Sequence, residues 1–436
     1  MRSLPTPPHF DVAVAGGGSA GIAAAISAAR SGARSLLVER SDILGGNVGN
    51  AFVHTLCGLY RLADEGEARH AHPGFPQHFA EGLRAAGAAG SAERAGRVYV
   101  LPIQPPAFSE FAAKLCARTP RLEVRTRCEV VAAALAADRS APQSFSAISA
   151  RDGETRFTAS VLVDASGDAS LGWLGGAEVA AAGPEELQLP SLIFRMGGVD
   201  TSELSGFARL RLSFAVAGAV RSQDLPGGCE SVLVRPGAAA DEVYVTLNVP
   251  RPEDAPYAPL DPVQLAALEQ RARASAVLIA DFLCRTRPAF AGSRIVAWPR
   301  RIGVRETRRL VGEVVLSRSD VLAGRAHEGE VAVSTWPIEL WHDHRRAEFE
   351  YPVGACSIPL GALVSRSHPR LGMAGRCLSA THEALGALRV VGTALATGEA
   401  VGIAAALAAD RGIALGAVSA REVRDKILDL ASREEP

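Results

Sequence analysis

One stretch near the start of the chain restricts the fold more than any other. It is Asp11-Val-Ala-Val-Ala-Gly16-Gly17-Gly18-Ser19-Ala20-Gly21, with Glu39 following after a helix-length interval. It reads as a short apolar strand, a G-x-G-x-x-G turn, an Ala-rich helix (Ile22 to Arg30) and a second apolar strand (Arg34 to Val38) ending in an acid. Gly16 permits the tight turn, Gly18 lets backbone approach a pyrophosphate, and Gly21 lets helix and strand pack closely. A diphosphate then sits on the helix N-terminus, where free N–H groups and the dipole favour an anion. Glu39 is placed to take ribose hydroxyls. Strand, turn, helix, strand and acid in register predict a bound dinucleotide; the alternative is a small-residue turn that holds nothing.

At 436 residues the chain is too long for one small core, so two intertwined domains are expected. A content of 48% apolar and 21% charged residues describes a soluble globular protein. The net charge of −1 gives no electrostatic case for nucleic acid or an anionic membrane. Val12 to Ala29 carries no charge, but it is too rich in Gly, Ala and Ser for a membrane span. Met1 to Phe10 holds three prolines and no apolar run, so no signal peptide is expected and a cytoplasmic location follows. Seven cysteines without a C-x-x-C pair argue against a disulfide framework or a zinc site.

Further along, Phe108, Phe111, Ala112 and Leu115 mark an amphipathic helix over 105–118. Leu122 to Val131 alternates like one strand, and Ala132 to Gln143 reads as a hairpin tip or loop. Phe145 to Ala150 and Thr155 to Thr158 read as paired antiparallel strands. An apolar strand then enters the turn Asp164-Ala165-Ser166-Gly167-Asp168, the kind of strand exit where ligands approach an open α/β sheet. Between Glu185 and about Pro299, strand-like and helical runs alternate as in an inserted domain. Arg301, Arg305 and Arg308 predict an arginine-rich face on a helix or a helix–strand junction. Ser357 to Val364 reads as a strand segment, Leu371 to Ala380 as a strand ending at a Gly375-Arg376 turn, and Thr381-His382-Glu383-Ala384 as the lead into a smooth Gly/Ala helix, Val390 to Ala409.

Three separated segments together resemble the FAD-dependent oxidoreductases of the glutathione-reductase structural superfamily, and within it the group related to the fumarate-reductase and succinate-dehydrogenase flavoproteins. They are Val12 to Arg40 with Gly45-Gly46; Val161 to Asp168; and Ile302-Gly-Val-Arg305-Glu306-Thr307-Arg308-Arg309 continuing into Met373 to Glu383 and Gly386 to Ala406. The resemblance implies an α/β architecture: a Rossmann-like FAD-binding domain from residues 1–184 and 300–436, with an inserted mixed α+β substrate or cap domain at 185–299. It also implies FAD as cofactor. Gly16, Gly18, Ser19, Ala20 and Gly21 would hold the diphosphate, and Glu39 and Arg40 the adenosine end. Gly45, Gly46 and Asn47 would pass beside the pyrophosphate and ring, and Val130 would present backbone to adenine. Ala165, Ser166, Gly167 and Asp168 would close over the adenosine side, and Gly375 and Arg376 would meet the ribityl chain. Leu388, Arg389 and Val390 would aim a helix start at the pyrimidine end of the flavin, where Arg389 stabilises the reduced anion.

The chain departs from neighbouring groups. It has no second G-x-G-x-x-G, no C-x-x-x-x-C after Gly46, and Gly375-Arg376 in place of the Gly-Asp ending of flavin monooxygenases. For the chemistry, His382 is the first candidate proton carrier; the other reading is a helix start capped by Thr381. Arg305 is the candidate anchor for a substrate carboxylate; the other reading is an ion pair with a neighbouring acid. Arg389 completes the catalytic set. His342 and His344 have metal-like spacing without a third ligand, and Cys57 and His54 are alternatives for a redox or covalent role. The leading expectation is a dehydrogenase, oxidase or reductase that moves a hydride between FAD and a small polar metabolite, with an unidentified electron donor or acceptor. The rivals are a non-catalytic flavin-binding subunit and a flavin monooxygenase or halogenase.

Overall fold

A computed structural model describes residues 7–63, 66–136, 143–204, 206–237 and 239–433. The start of the Met1–Phe10 segment and the middle of the 132–143 loop lie outside the described residues.

The first strand, His9–Ala15, sits between two parallel partners. Val12 to Ala15 pairs with Ser35 to Val38 on one side and with Val161 to Asp164 on the other. Leu122–Arg125 extends the sheet at one edge, and Leu371–Met373 pairs in parallel with Leu162 to Asp164. Val12, Val14, Leu36, Leu37, Leu162 and Val163 are all fully buried. Burial on both faces is what a parallel sheet covered by helices demands, and it explains why these strands read as unbroken apolar runs. The arrangement is a Rossmann-like α/β fold. Its parallel strands end together at Ala15, Val38, Asp164 and Met373, and the site opens at that edge.

The expected separate strands 155–158 and 159–164 are one strand, Gly153–Asp164. Its first half pairs antiparallel with Gln143–Ser149, its second half parallel with the first strand. Conversely, the expected strand 122–131 is two, Leu122–Arg125 and Cys128–Ala134, because Arg127 takes a left-handed backbone (φ 54°) and turns the chain. The helix over 105–118 is present, but it buries Phe108, Ser109, Ala112 and Cys116 rather than Leu115. The arginine run from Arg301 forms no helix; apart from an isolated bridge at Gly303 and the two-residue strand Arg309–Leu310 it is irregular chain. The expected strand 357–364 is a strand only at Cys356–Pro359, followed by a 3-10 turn.

The helix expected at 390–409 is Val391–Arg411, and the segment leading into it forms a short helix of its own. His382–Leu388 is capped by the Thr381 hydroxyl, which accepts from the Ala384 N–H at 3.4 Å. Val391–Arg411 follows after a break at Arg389-Val390. This second helix is long and apolar enough to cross a membrane by length and composition, but 89% of its apolar window is buried inside the fold. It lies directly on the first helix, Ser19–Arg30. A Cβ at Gly398 would collide with the carbonyl oxygen of Ala20, and one at Gly402 with that of Ala24. Overpacking of this kind typically costs about 1–3 kcal/mol. Gly398→Ala should therefore lower the unfolding free energy by about 1–3 kcal/mol, measured by chemical denaturation followed by circular dichroism; an unchanged value would contradict the close crossing.

Residues between Leu187 and Ile302 build a second core around an antiparallel sheet with the strand order 232–236, 242–248, 191–197, 294–297. Leu192, Phe194, Val243, Val245, Val232 and Val234 fill that core. Side chains alternate across a strand, so the other face carries Ile193, Thr246, Leu233, Tyr244 and Arg235, and that face looks toward the parallel sheet's open edge.

Candidate functional site

A cavity of about 440 Å³ opens at the carboxyl ends of the parallel strands and runs beneath the inserted sheet. The residues after the strand ends form its floor: Gly16, Glu39, Ala165 and Ala374. Gly16 has φ +103°, and a Cβ there would collide with the Ala165 carbonyl, so the turn needs glycine. A Cβ at Gly21 would collide with the Gly16 carbonyl, which fixes helix against strand. Gly18 is different. Its backbone is ordinary extended chain, and a Cβ would meet only the Gly46 Cα at 3.8 Å. No protein contact demands glycine there; the bare backbone faces the cavity, with Ser19, Ala20, Gly45 and Gly46 around it.

The buried Glu39 carboxylate accepts from the Gly17 N–H at 2.6 Å and the Ser41 N–H at 2.7 Å, which holds it at the cavity edge with lone pairs left over. Asp164 shapes the second turn: one oxygen accepts from the Ser166 N–H and hydroxyl, the other from the Gly172 N–H, while burial pushes its carboxyl up. Ser166 and Gly167 are thereby set on the wall. Asp168 stands behind them, paired with Arg376 at 3.1 Å and Arg40 at 3.4 Å. Arg301 joins these two arginines on the wall, and its guanidinium has no hydrogen bond or ion pair among the described residues. Burial, then Arg40 and Arg376, push its pKa down to about 10. Three guanidiniums beside one carboxylate and a helix N-terminus make a receptor for an anion.

Towards the other end, the Asn47 amide donates to the Val304 carbonyl at 2.9 Å, and Arg376 donates to the same oxygen. Gly375 turns with φ +64°. Arg305 donates to the Leu189 carbonyl and, at 2.7 Å, to Asn248, and lies 4.8 Å above the Trp341 ring. Burial, then Arg389, lower its pKa to about 9. Its partners are polar groups of the insertion, not an acid. Arg389 donates to Gln188 at 3.2 Å and to the Glu339 carbonyl at 3.3 Å, and its buried Nε has no partner. Val390 lines the wall beside it. The Glu339 carboxylate accepts from the indoles of Trp336 and Trp341.

Five expected residues lie off the cavity wall. Gly21 lies beneath the turn, and Asp168 acts through its arginines. Leu388 is buried in the core as the last residue of its helix. Val130 packs in the cluster behind the sheet. His382 points away: its Nδ1 meets the Glu306 carboxylate at 2.8 Å and its Nε2 meets His342 Nε2 at 2.9 Å. Position next to the Gly375-Arg376 turn in sequence suggested a cavity-facing ring; the separate short helix beginning at His382 turns it toward Glu306 instead. Both its nitrogens are engaged, so His382 is not placed as a direct proton carrier to a ligand. Burial pushes the Cys57 thiol up to about 11, which keeps it protonated and inert. His344 pairs with Glu230 at 3.1 Å, and no cluster of three metal-binding side chains occurs among the described residues.

Sequence reasoning singled out Arg301 only as part of a helical face, and it passed over Arg235, Glu339 and Trp341. All four border the cavity. The alternation of Leu233 and Arg235 along their strand was the signal for Arg235.

The family described as FAD dependent oxidoreductase matches residues 11–427. No curated protein matches the sequence. Among solved structures, the chain is similar to p-nitrophenol 4-monooxygenase from Pseudomonas putida, with 12% identity, a TM-score of 0.48, and coverage of 98% of this chain and 91% of that one. It is also similar to a geranylgeranyl bacteriochlorophyll reductase-like protein from Thermoplasma acidophilum, with 13% identity, a TM-score of 0.46, and coverage of 98% and 93%. A third is a myxobacterial chondrochloren halogenase, with 13% identity, a TM-score of 0.47, and coverage of 98% and 80%.

Proposed function

Because the chain belongs to the family of FAD-dependent oxidoreductases, we propose that it transfers a hydride between FAD and a small polar metabolite, as a dehydrogenase, oxidase or reductase. Gly18 carries the fit of the cofactor: its bare backbone faces the cavity with no protein contact to account for it. Gly16, Ser19, Ala20, Gly45 and Gly46 would surround the diphosphate, with Arg301 and Arg376 supplying charge. Glu39 would take the adenosine ribose. Arg389 and Val390, at the start of the core helix, would stand at the flavin end. We retain the placement near the fumarate-reductase and succinate-dehydrogenase flavoproteins, with residues 185–299 as the substrate domain.

Bound FAD supplies a two-electron acceptor or donor. The chain's own residues orient and polarise. Six arginines but only two carboxylates border the cavity, so its interior favours anions and stabilises negative charge that develops there. His382 acts at a distance: it bonds Glu306, Glu306 accepts from Gln188 at 3.4 Å, and Gln188 accepts from Arg389. We assign it to positioning Arg389.

Leu233 and Phe349, on the cavity wall, are 46% and 50% exposed. An entrance open to small molecules supports an enzyme over a sealed structural flavoprotein. Anaerobic mixing of the FAD-loaded protein with a panel of metabolites tests the reading. At least one should bleach the visible flavin bands or, for a reductase, reoxidise the reduced protein. A protein inert in both directions would contradict an enzymatic role.

A further inference from the structure

The inserted sheet meets the cavity with a row of side chains that ends in a cation. Ile193, Thr246 and Leu233 stand in register across three strands, and Arg195, Tyr244 and Arg235 form the next row on the same face. Arg235 borders the cavity, and its guanidinium has no hydrogen bond or ion pair among the described residues. His54 comes up from the opposite wall and stacks on Tyr244, with ring centres 4.7 Å apart and planes 9° apart. The His54 side chain is only 7% exposed.

The protonation of His54 follows from its contacts. Its Nδ1 lies 3.1 Å from the Phe52 carbonyl, which only accepts, so Nδ1 carries the hydrogen. Phe52 holds that carbonyl in place through a left-handed backbone (φ 57°). Burial, then Arg235, depress the His54 pKa to about 4, so the ring is neutral near pH 7. Its buried Nε2 is then a bare lone pair with no partner. His54 lines the cavity, and a buried acceptor without a partner is satisfied by a group that donates to it.

We propose that Arg235 and His54 form the substrate subsite of this cavity and take a hydroxy acid: its carboxylate on Arg235, its hydroxyl donating to His54 Nε2, and its apolar body against Leu233, Ile193 and Phe349. The acid matches a guanidinium free of protein partners. The neutral hydroxyl is preferred to an ammonium because Arg235, Arg305 and Arg389 already make this end of the cavity positive. The apolar body matches the exposed Leu233 and Phe349. The assignment rests on FAD occupying the strand-end part of the same cavity.

Calorimetric titration of the flavin-loaded protein with three probes tests it: mandelate, phenylacetate (no hydroxyl) and 1-phenylethanol (no carboxylate). Mandelate should bind tightest. Arg235→Gln should weaken both acids by about tenfold or more and leave 1-phenylethanol unchanged. His54→Phe, which keeps the stacking on Tyr244, should bring mandelate down to the affinity of phenylacetate. Flavin content, read independently from absorbance, should be the same in all three proteins. Equal affinity of Arg235→Gln and the parent protein for mandelate would overturn the subsite, as would binding of none of the probes. Loss of flavin in Arg235→Gln would reassign that residue to the cofactor. Absence of flavin from the parent protein would instead count against the cofactor reading, because calorimetry reads mandelate binding whether or not flavin is present.

Discussion

Gly18→Val should give a folded protein without flavin. The backbone at Gly18 (φ −74°, ψ −179°) suits any residue, and its Cβ would meet nothing in the protein closer than the Gly46 Cα at 3.8 Å. Stability should therefore stay within about 1 kcal/mol of the parent, the ordinary range for a substitution that breaks no contact. The branched side chain would instead occupy the space from which the backbone approaches the diphosphate. FAD affinity should fall by about 100-fold or more, the equivalent of about 3 kcal/mol of overpacking. Gly16→Val is the contrasting control: with φ +103° and the Ala165 carbonyl in the way, it should fail to fold. Absorbance at the flavin bands and circular dichroism separate the two outcomes. Full flavin occupancy in Gly18→Val would refute the assignment of the turn.

The second large effect is on stability. Glu306 is completely buried and bonds Arg309 at 2.6 Å and His382 at 2.8 Å, with Gln188 at 3.4 Å. Arg309 is itself buried, and burial lowers its pKa. Glu306→Leu leaves that guanidinium without its countercharge, and breaking one side of a buried pair costs about 3–5 kcal/mol. Urea unfolding should show a loss of that size. The double variant Glu306→Leu/Arg309→Leu should recover part of it, because both buried charges are then gone. A single-variant loss below about 1 kcal/mol would show that Arg309 finds another partner or water.

These two residues also mark what a sequence discloses. The turn around Gly18 was legible because its geometry depends on neighbours within one turn and the following helix, where spacing is geometry. The Asp164-to-Asp168 turn was legible for the same reason. Glu306 was seen only as an acid near Arg309. Its contact with His382 joins residues 76 apart in sequence, and no local pattern encodes that. The arginine run from Arg301 illustrates the same limit. Its spacing suits a helix, yet Arg301 faces the cavity, Arg305 reaches Leu189 and Asn248 of the insertion, and Arg308 lies over Trp173. The partners of Arg305 and Arg308 lie in different parts of the fold, and local spacing does not encode them.

The start of the core helix at Val390 was legible, although no glycine or proline precedes it directly. The Gly392 N–H donates to the Cys57 carbonyl at 2.8 Å, and a Cβ at Gly392 would collide with Gly58, so a distant loop sets where the core helix begins. His382 was expected at the cavity from its place between the Gly375-Arg376 turn and that helix, whereas its own short helix, His382–Leu388, turns the ring toward Glu306. Arg235 was hidden by being an ordinary alternating residue on a strand of the insertion, whose cavity-facing side is defined only once the two sheets are brought together.

The flavin content of the purified parent protein tests the central claim most directly. Absorbance of the native protein, with identification of the cofactor released on denaturation, should return about one FAD for each chain. Colourless protein that takes up no FAD on incubation would contradict the account at its root.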